Sequence, residues 1–276
     1  MSANIKDWLP GMAAQLEALA ATPAIAALNH SVWLFSVVQL FHLLFIAVLG
    51  GGVLLLNLRL LGFALPTVSP QEVERSTRPW MIASVAGTII TGLLMTLATT
   101  QSSLTSTAFL IKMIALLAAI GLSISVASQV KESAAPRSLP KVVAAVAAGM
   151  WLLAVAIFAS ADNLGAGVLL VAIAGFALFA AFVPSRRRVY LFGIGAVLFT
   201  GLGATFLLPP TEAGDVLTVQ LSIGTVLAGL AFALFLWAGE GRDGKLLAIP
   251  LDRASALVST LAWVTVAVAG RWIGFS

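Results

Sequence analysis

The sequence predicts an all-α, polytopic membrane bundle of about eight transmembrane helices, and three observations carry that prediction. Hydrophobic residues make up 60% of the chain and charged residues only 9%, with a mean hydropathy of +1.06; soluble domains carry about 25% charged residues. Apolar runs separated by polar breaks fall at about 31–58, 80–98, 107–128, 142–161, 164–183, 189–208, 216–238 and 254–272, close to or above the ~20 residues that a helix needs to cross a bilayer. The breaks also alternate in charge. One set holds Arg59, Arg75, Arg78, Lys131, Arg137, Lys141, Arg186, Arg187, Arg188, Arg242, Lys245 and Arg253, and the other only Lys6, Lys112 and Arg271. Twelve basic residues against three in short loops is a positive-inside pattern, which places both termini on the periplasmic side of a bacterial inner membrane.

Before the first run, residues 1–30 lack a basic stretch leading into an apolar core, so no cleavable signal is expected. This segment is Ala-rich and weakly amphipathic, bounded by Pro10 and Pro23, and reads as an interfacial element that need not span. The rest divides into two four-helix halves, 31–161 and 162–276. Arg78 through Leu93 aligns without gaps on Arg187 through Leu202, ending in Thr91-Gly92-Leu93 and Thr200-Gly201-Leu202. Trp151 and Trp263 are 112 residues apart, near the 109-residue offset of that match. Together these suggest a parallel 4+4 repeat, whose second half lacks a counterpart of His42 or Lys112.

Function classes narrow quickly. Zero cysteines exclude disulfides, thiolate catalysis and Cys-ligated metal clusters. The basic pI of about 10.0 follows from the loops and reports topology rather than nucleic-acid binding. The longest break after the N-terminus, 59–79, leaves no room for a soluble enzymatic domain. The partners expected are the lipid bilayer and other membrane subunits or further copies of the chain.

His42 is the conspicuous polar residue. It lies about halfway through a first run that carries no charged residue, and an ionisable group there is costly enough to mark a functional site. Three roles remain open: a structural hydrogen bond to a neighbouring helix, axial ligation of a b-type haem by neutral imidazole, and proton relay, which the absence of Asp and Glu from the spans disfavours. His30 is twelve residues away, about 18 Å along a helix, so the two cannot ligate one metal from one helix. Met150 in the fourth run is at similar depth and is a candidate sixth ligand, although thioethers more often pack. Lys112 and Arg271 either snorkel to lipid phosphate or neutralise haem propionates, a quinone or a lipid headgroup. Gly50, Gly51 and Gly52 would admit a close backbone or a flat cofactor.

Motifs extend this set. Ser31-Val-Trp33, His42, Gly50-Gly51-Gly52 and Asn57-Leu-Arg59-Leu-Leu-Gly62 occupy the first run; Thr91-Gly92 the second; Phe109-Leu-Ile-Lys112 the third; Trp263 and Gly270-Arg271-Trp272-Ile273-Gly274-Phe275 the last. Over 31–128 and 254–276 this pattern resembles a family of small, largely uncharacterised four-span bacterial membrane proteins. Asn57 stands where that family has an acidic residue, and runs across 142–238 intervene before the terminal helix. More distantly, the His-bearing first helix is similar to copper-resistance D-type and b-type cytochrome bundles. The resemblance implies His42, Arg59, Lys112 and Arg271 as the functional set. The reading that follows is a b-haem electron-transfer subunit linked to quinone or a partner complex; the alternatives are a non-catalytic accessory subunit and a small-solute or metal permease.

Overall fold

The computed structural model describes residues 5–131, 138–160 and 251–273, with 171, 173–175, 177 and 195 as isolated positions. The runs at 164–183, 189–208 and 216–238, and the second copy of the repeat, fall essentially outside the described residues. Everything described with regular structure is helical: α1 (Ile5–Trp8), α2 (Pro10–Ala20), α3 (Pro23–His30), α4 (Val32–Leu61), α5 (Pro70–Ala98), α6 (Thr100–Thr105), α7 (Thr107–Lys131), α8 (Ser138–Ser160) and, last in the chain, α9 (Leu251–Trp272). Five of these, α4, α5, α7, α8 and α9, are long and apolar enough to cross a membrane. The count is six if the bent α2–α3 pair is one span. The chain is therefore a membrane-type helical bundle whose lipid-facing surface is apolar.

Helix limits follow local chemistry. Ser31 is extended and its hydroxyl accepts from Leu34 N at 3.3 Å, so it ends α3 and caps α4. At the other end of α4, Gly62 adopts φ +87°, with Gly62 N bonded to Arg59 O and Phe63 N to Leu58 O. This pattern closes a helix on a left-handed residue, which glycine adopts without strain. Arg59 then donates from Nε to the Val68 carbonyl and folds the connecting loop back. Ser69 accepts from Glu72 N, and Pro70 in the first turn opens α5. That helix begins ten residues before its apolar run, because 70–79 forms a polar helical extension beyond the span.

α4 packs on α5, α9 lies between α4 and α7, and α8 packs on the far side of α7, touching α9 lightly. The main core joins Ala108, Ile111 and Ala115 of α7 with Ala154 and Phe158 of α8 and Ala262 and Ala269 of α9. Small residues let these backbones approach closely, which is how helices associate in lipid. Between α4 and α5 the glycines act one-sidedly. A Cβ on Gly87 would stand 2.6 Å from the Phe45 ring, and one on Gly52 would stand 2.9 Å from Met81 Cγ. Gly50 and Gly51, expected to admit a close neighbour, face open space instead; of the triplet only Gly52 is approached.

The bundle has two unlike ends. At one, here termed the basic end, Glu74 is buried and held by Arg78 (Nε–Oε1 2.9 Å, Nη2–Oε2 2.7 Å) and by Lys131 (3.3 Å), so α5 is tied to α7. At the other, the cap end, α1 and α2 lie across α6 and the start of α7. There Ile5 and Ala13 pack with Leu104, Phe109 and Leu110. α2 and α3 meet at 78°, and Lys6 pairs with Glu17 at 2.9 Å. The N-terminal segment is thus three short helices seated on one end of the bundle, where the sequence suggested one weakly amphipathic helix.

Overpacking a full core costs about 1–3 kcal/mol. Gly87→Ala, which drives a methyl into the Phe45 ring, is expected to lower the thermal midpoint in detergent, whereas Gly149→Ala, which meets nothing within 4 Å, leaves it unchanged. Equal midpoints would contradict the α4–α5 packing.

Candidate functional site

His42 sits ten residues into α4, about 15 Å from its start and about 28 Å from its end. The ring is therefore nearer the cap end of the helix than its basic end. It is buried against α5, which runs antiparallel and presents Ser84, Thr88 and Thr91, all buried, on one face. His42 Nδ1 and Thr91 Oγ1 are 2.8 Å apart. The Thr91 hydroxyl also approaches the Gly87 carbonyl at 2.6 Å.

That pair of distances fixes the ring. A hydroxyl has one proton, and Thr91 gives it to Gly87. It therefore meets the imidazole as an acceptor, and in the neutral ring Nδ1 carries the hydrogen. Nε2 is left as the lone-pair nitrogen. An imidazole whose Nδ1–H is anchored to an oxygen is oriented for binding through Nε2. Gly92 completes the seat: a Cβ there would stand 3.1 Å from His42 Cε1. The Thr-Gly pair singled out in the sequence is the surface on which the histidine lies.

One buried polar atom beside this seat is unsatisfied. Thr88 is 7% exposed, and its hydroxyl has no hydrogen-bond partner among the described residues. Such a group costs about 1–3 kcal/mol, so a buried hydroxyl one turn from Thr91 calls for a polar neighbour.

Lys112, in the second turn of α7, exerts its field on the His42 ring. Its stem lies along Gly270 of α9, where a Cβ would be 3.7 Å from Cδ and Cε. Arg271 is the next residue on that helix. The first and last described spans are neighbours, and Lys112 and Arg271 both lie at the cap end. Met150 is elsewhere: it lies on α8, which packs on α7 and α9 and not on α4. Arg59 is at the basic end, bound to Val68, and Asn57 donates to Thr260 Oγ1 at 3.1 Å. His30 is exposed at the end of α3, beyond the Ser31 break. Among the described residues no three His, Asp or Glu side chains gather as a metal site. The residues missed from sequence are Thr88 and Gly270. A threonine three positions before the Thr-Gly pair, on the same helical face, was the available signal for the first.

Fold and site together define a polytopic helical membrane protein with a buried histidine clasped between its first two spans. The chain belongs to the family of unknown function DUF6644, which matches residues 30–186. The match takes in α4, α5, α7 and α8 and continues through the 164–183 run; α9 lies beyond it. No curated protein and no solved structure matches the chain.

An interhelical hydrogen bond between polar side chains in lipid is worth about 0.6–2 kcal/mol. Thr91→Val is expected to lower stability by about that amount and to release the ring, so that nitrogen NMR of the imidazole shows mixed tautomers. Thr91→Ser should retain the Nδ1–H form; a wild-type ring protonated on Nε2 would overturn the assignment.

Proposed function

We propose that the chain is a b-haem-binding electron-transfer subunit of a bacterial inner membrane, linked to quinone or to a partner complex. The observation that carries this reading is the His42 clasp. Thr91 holds Nδ1–H, Nε2 remains the donor nitrogen, and Gly92 fits the ring to α5. The donor set suits haem: one neutral imidazole for iron, an unpaired Thr88 hydroxyl beside it, and Lys112 with Arg271 toward the end where carboxylates would be neutralised. A b-type haem held there supplies a one-electron iron couple. The protein's part is to fix the ring, to surround it with apolar side chains that exclude water, and to keep compensating charge at the cap end. Met150 lies on α8, which packs on α7 and α9 rather than on α4, so of the expected ligands His42 alone would hold the group.

In this reading the chain has eight spans arranged as a parallel 4+4 repeat. The basic loops face the cytoplasm, and the cap end with both termini faces the periplasm, because lysine and arginine are retained on the cytoplasmic side. A second reading, an accessory subunit in which His42 is purely structural, is favoured by the same 2.8 Å bond to Thr91, which already joins α4 to α5.

The two readings separate on the purified full-length protein. A pyridine-haemochrome spectrum should show haem b, which His42→Ala removes while His30→Ala and Met150→Leu retain it. A cofactor-free protein that copurifies with stoichiometric partners would instead establish the accessory role. A reporter fused after Ser276 is expected to be active on the periplasmic side; cytoplasmic activity would mean an odd number of spans.

A further inference from the structure

Among the described residues Lys112 is an ammonium without a counter-ion. It is half-buried near the start of α7 and has no hydrogen-bond or ion-pair partner among the described residues. Lys6 is engaged with Glu17, Arg78 and Lys131 with Glu74, and Arg59 with the Val68 carbonyl, while Arg75, Lys141 and Arg253 are exposed. A charge left uncompensated in a low-dielectric setting is costly, so its retention demands a reason.

Simple snorkelling into water does not supply one. The stem is laid on α9, where a Cβ added to Gly270 would stand 3.7 Å from Cδ and Cε and 3.9 Å from Nζ. A methyl there would touch the stem along its length, and a larger side chain would lift it away. Part of the bundle end nearby is covered. Phe109, Leu110 and Met113, which flank Lys112 on α7, pack with Ile5 and Ala13 of the N-terminal helices and with Ile273 beyond Arg271. The C-terminal end of α9 favours a cation nearby through its dipole, but that amounts to about half a charge, and no carbonyl accepts from the ammonium.

We infer that Lys112, resting on Gly270 beneath the α1–α2 cap, seats the headgroup of an amphiphile that carries an oxyanion on an apolar body. The apolar contacts of the cap lie beside Lys112 on α7, so an amphiphile entering from the bilayer would set its carboxylate or phosphate at Lys112 and its body among lipid-facing side chains. The three ammonium N–H groups then gain charge-assisted hydrogen bonds. The inference deepens the cap-end part of the haem reading without needing iron, since a haem carboxylate and a fatty carboxylate present the same group.

The test uses the full chain in zwitterionic detergent with oleate as probe, read by native mass spectrometry. Wild type is expected to bind one oleate. Lys112→Gln should weaken binding by about tenfold, the scale of a lost hydrogen bond to a charged group, whereas Lys112→Arg and Lys141→Gln at the opposite end stay within about twofold. Gly270→Leu, which keeps the charge and fills the cradle, should weaken it comparably, with thermal melts confirming that the variants fold. Equal oleate binding by wild type and Lys112→Gln overturns the site. Inorganic phosphate competing as well as oleate overturns the amphiphile and makes the ligand a soluble anion. A chain free of haem that still binds oleate through Lys112 removes the haem reading and leaves this one standing; a haem-loaded chain whose oleate binding ignores Lys112 does the reverse.

Discussion

Polar side chains inside an apolar solvent must satisfy one another, and α9 is where this constraint organises the bundle. Asn57 of α4 donates to Thr260, Trp263 donates to Ser123 of α7, and Trp151 of α8 donates to Thr265. One helix thus bonds to three others, each bond at 2.9–3.1 Å. In lipid the hydrophobic effect does not drive helices together, so close packing and such bonds decide which helices are neighbours. Because α9 is the last helix and α4 the first span, these bonds also close the chain on itself. Gly270 reaches Lys112 only through that closure.

The histidine clasp obeys the same rule on a smaller scale. Thr91 passes its proton to its own backbone, at Gly87, and is thereby made an acceptor for His42. A threonine bonded to the carbonyl four residues earlier is ordinary in a membrane helix. Here it sets the polarity of a ring on the neighbouring helix. The glycines on either side have separate tasks: Gly87 receives Phe45 and Gly92 receives the imidazole. Ring orientation is therefore fixed by packing and hydrogen bonding together, which is what a preorganised site requires.

The motifs noticed separately along the chain become pairs in space. His42 meets Thr91-Gly92, and Lys112 of the Phe-x-x-Lys motif meets Gly270 of the terminal Gly-Arg-Trp-Ile motif. The Asn-Leu-Arg-Leu-Leu-Gly segment is architectural: Asn57 binds α9, Arg59 clasps the loop and Gly62 ends the helix. Arg59, of the set that the resemblance implied, lies at the end of α4 away from His42. At the basic end, Glu74 ties α5 to α7 through Arg78 and Lys131. Its 70–79 extension went unread in the sequence because a polar helix beyond the bilayer lacks the apolar signal that reveals a span.

The sequence by itself determined the class of structure and the approximate limits of four of the long helices. Long apolar runs with few charges leave only spanning helices as a solution, since unbonded backbone is not tolerated in lipid. The runs near 31–58, 107–128, 142–161 and 254–272 match α4, α7, α8 and α9 to within a few residues. It also marked His42, Lys112 and Arg271, because ionisable groups stand out against an apolar background. What it left open was contact. All-round apolar helices carry almost no directional signal about their neighbours, so the separation of Met150 from His42, the failure of Gly50 and Gly51 to meet a partner, and the closeness of Lys112 to Gly270 were decided by tertiary packing. The tautomer of His42 belongs there too, since it depends on a hydroxyl 49 residues away whose own proton is already taken.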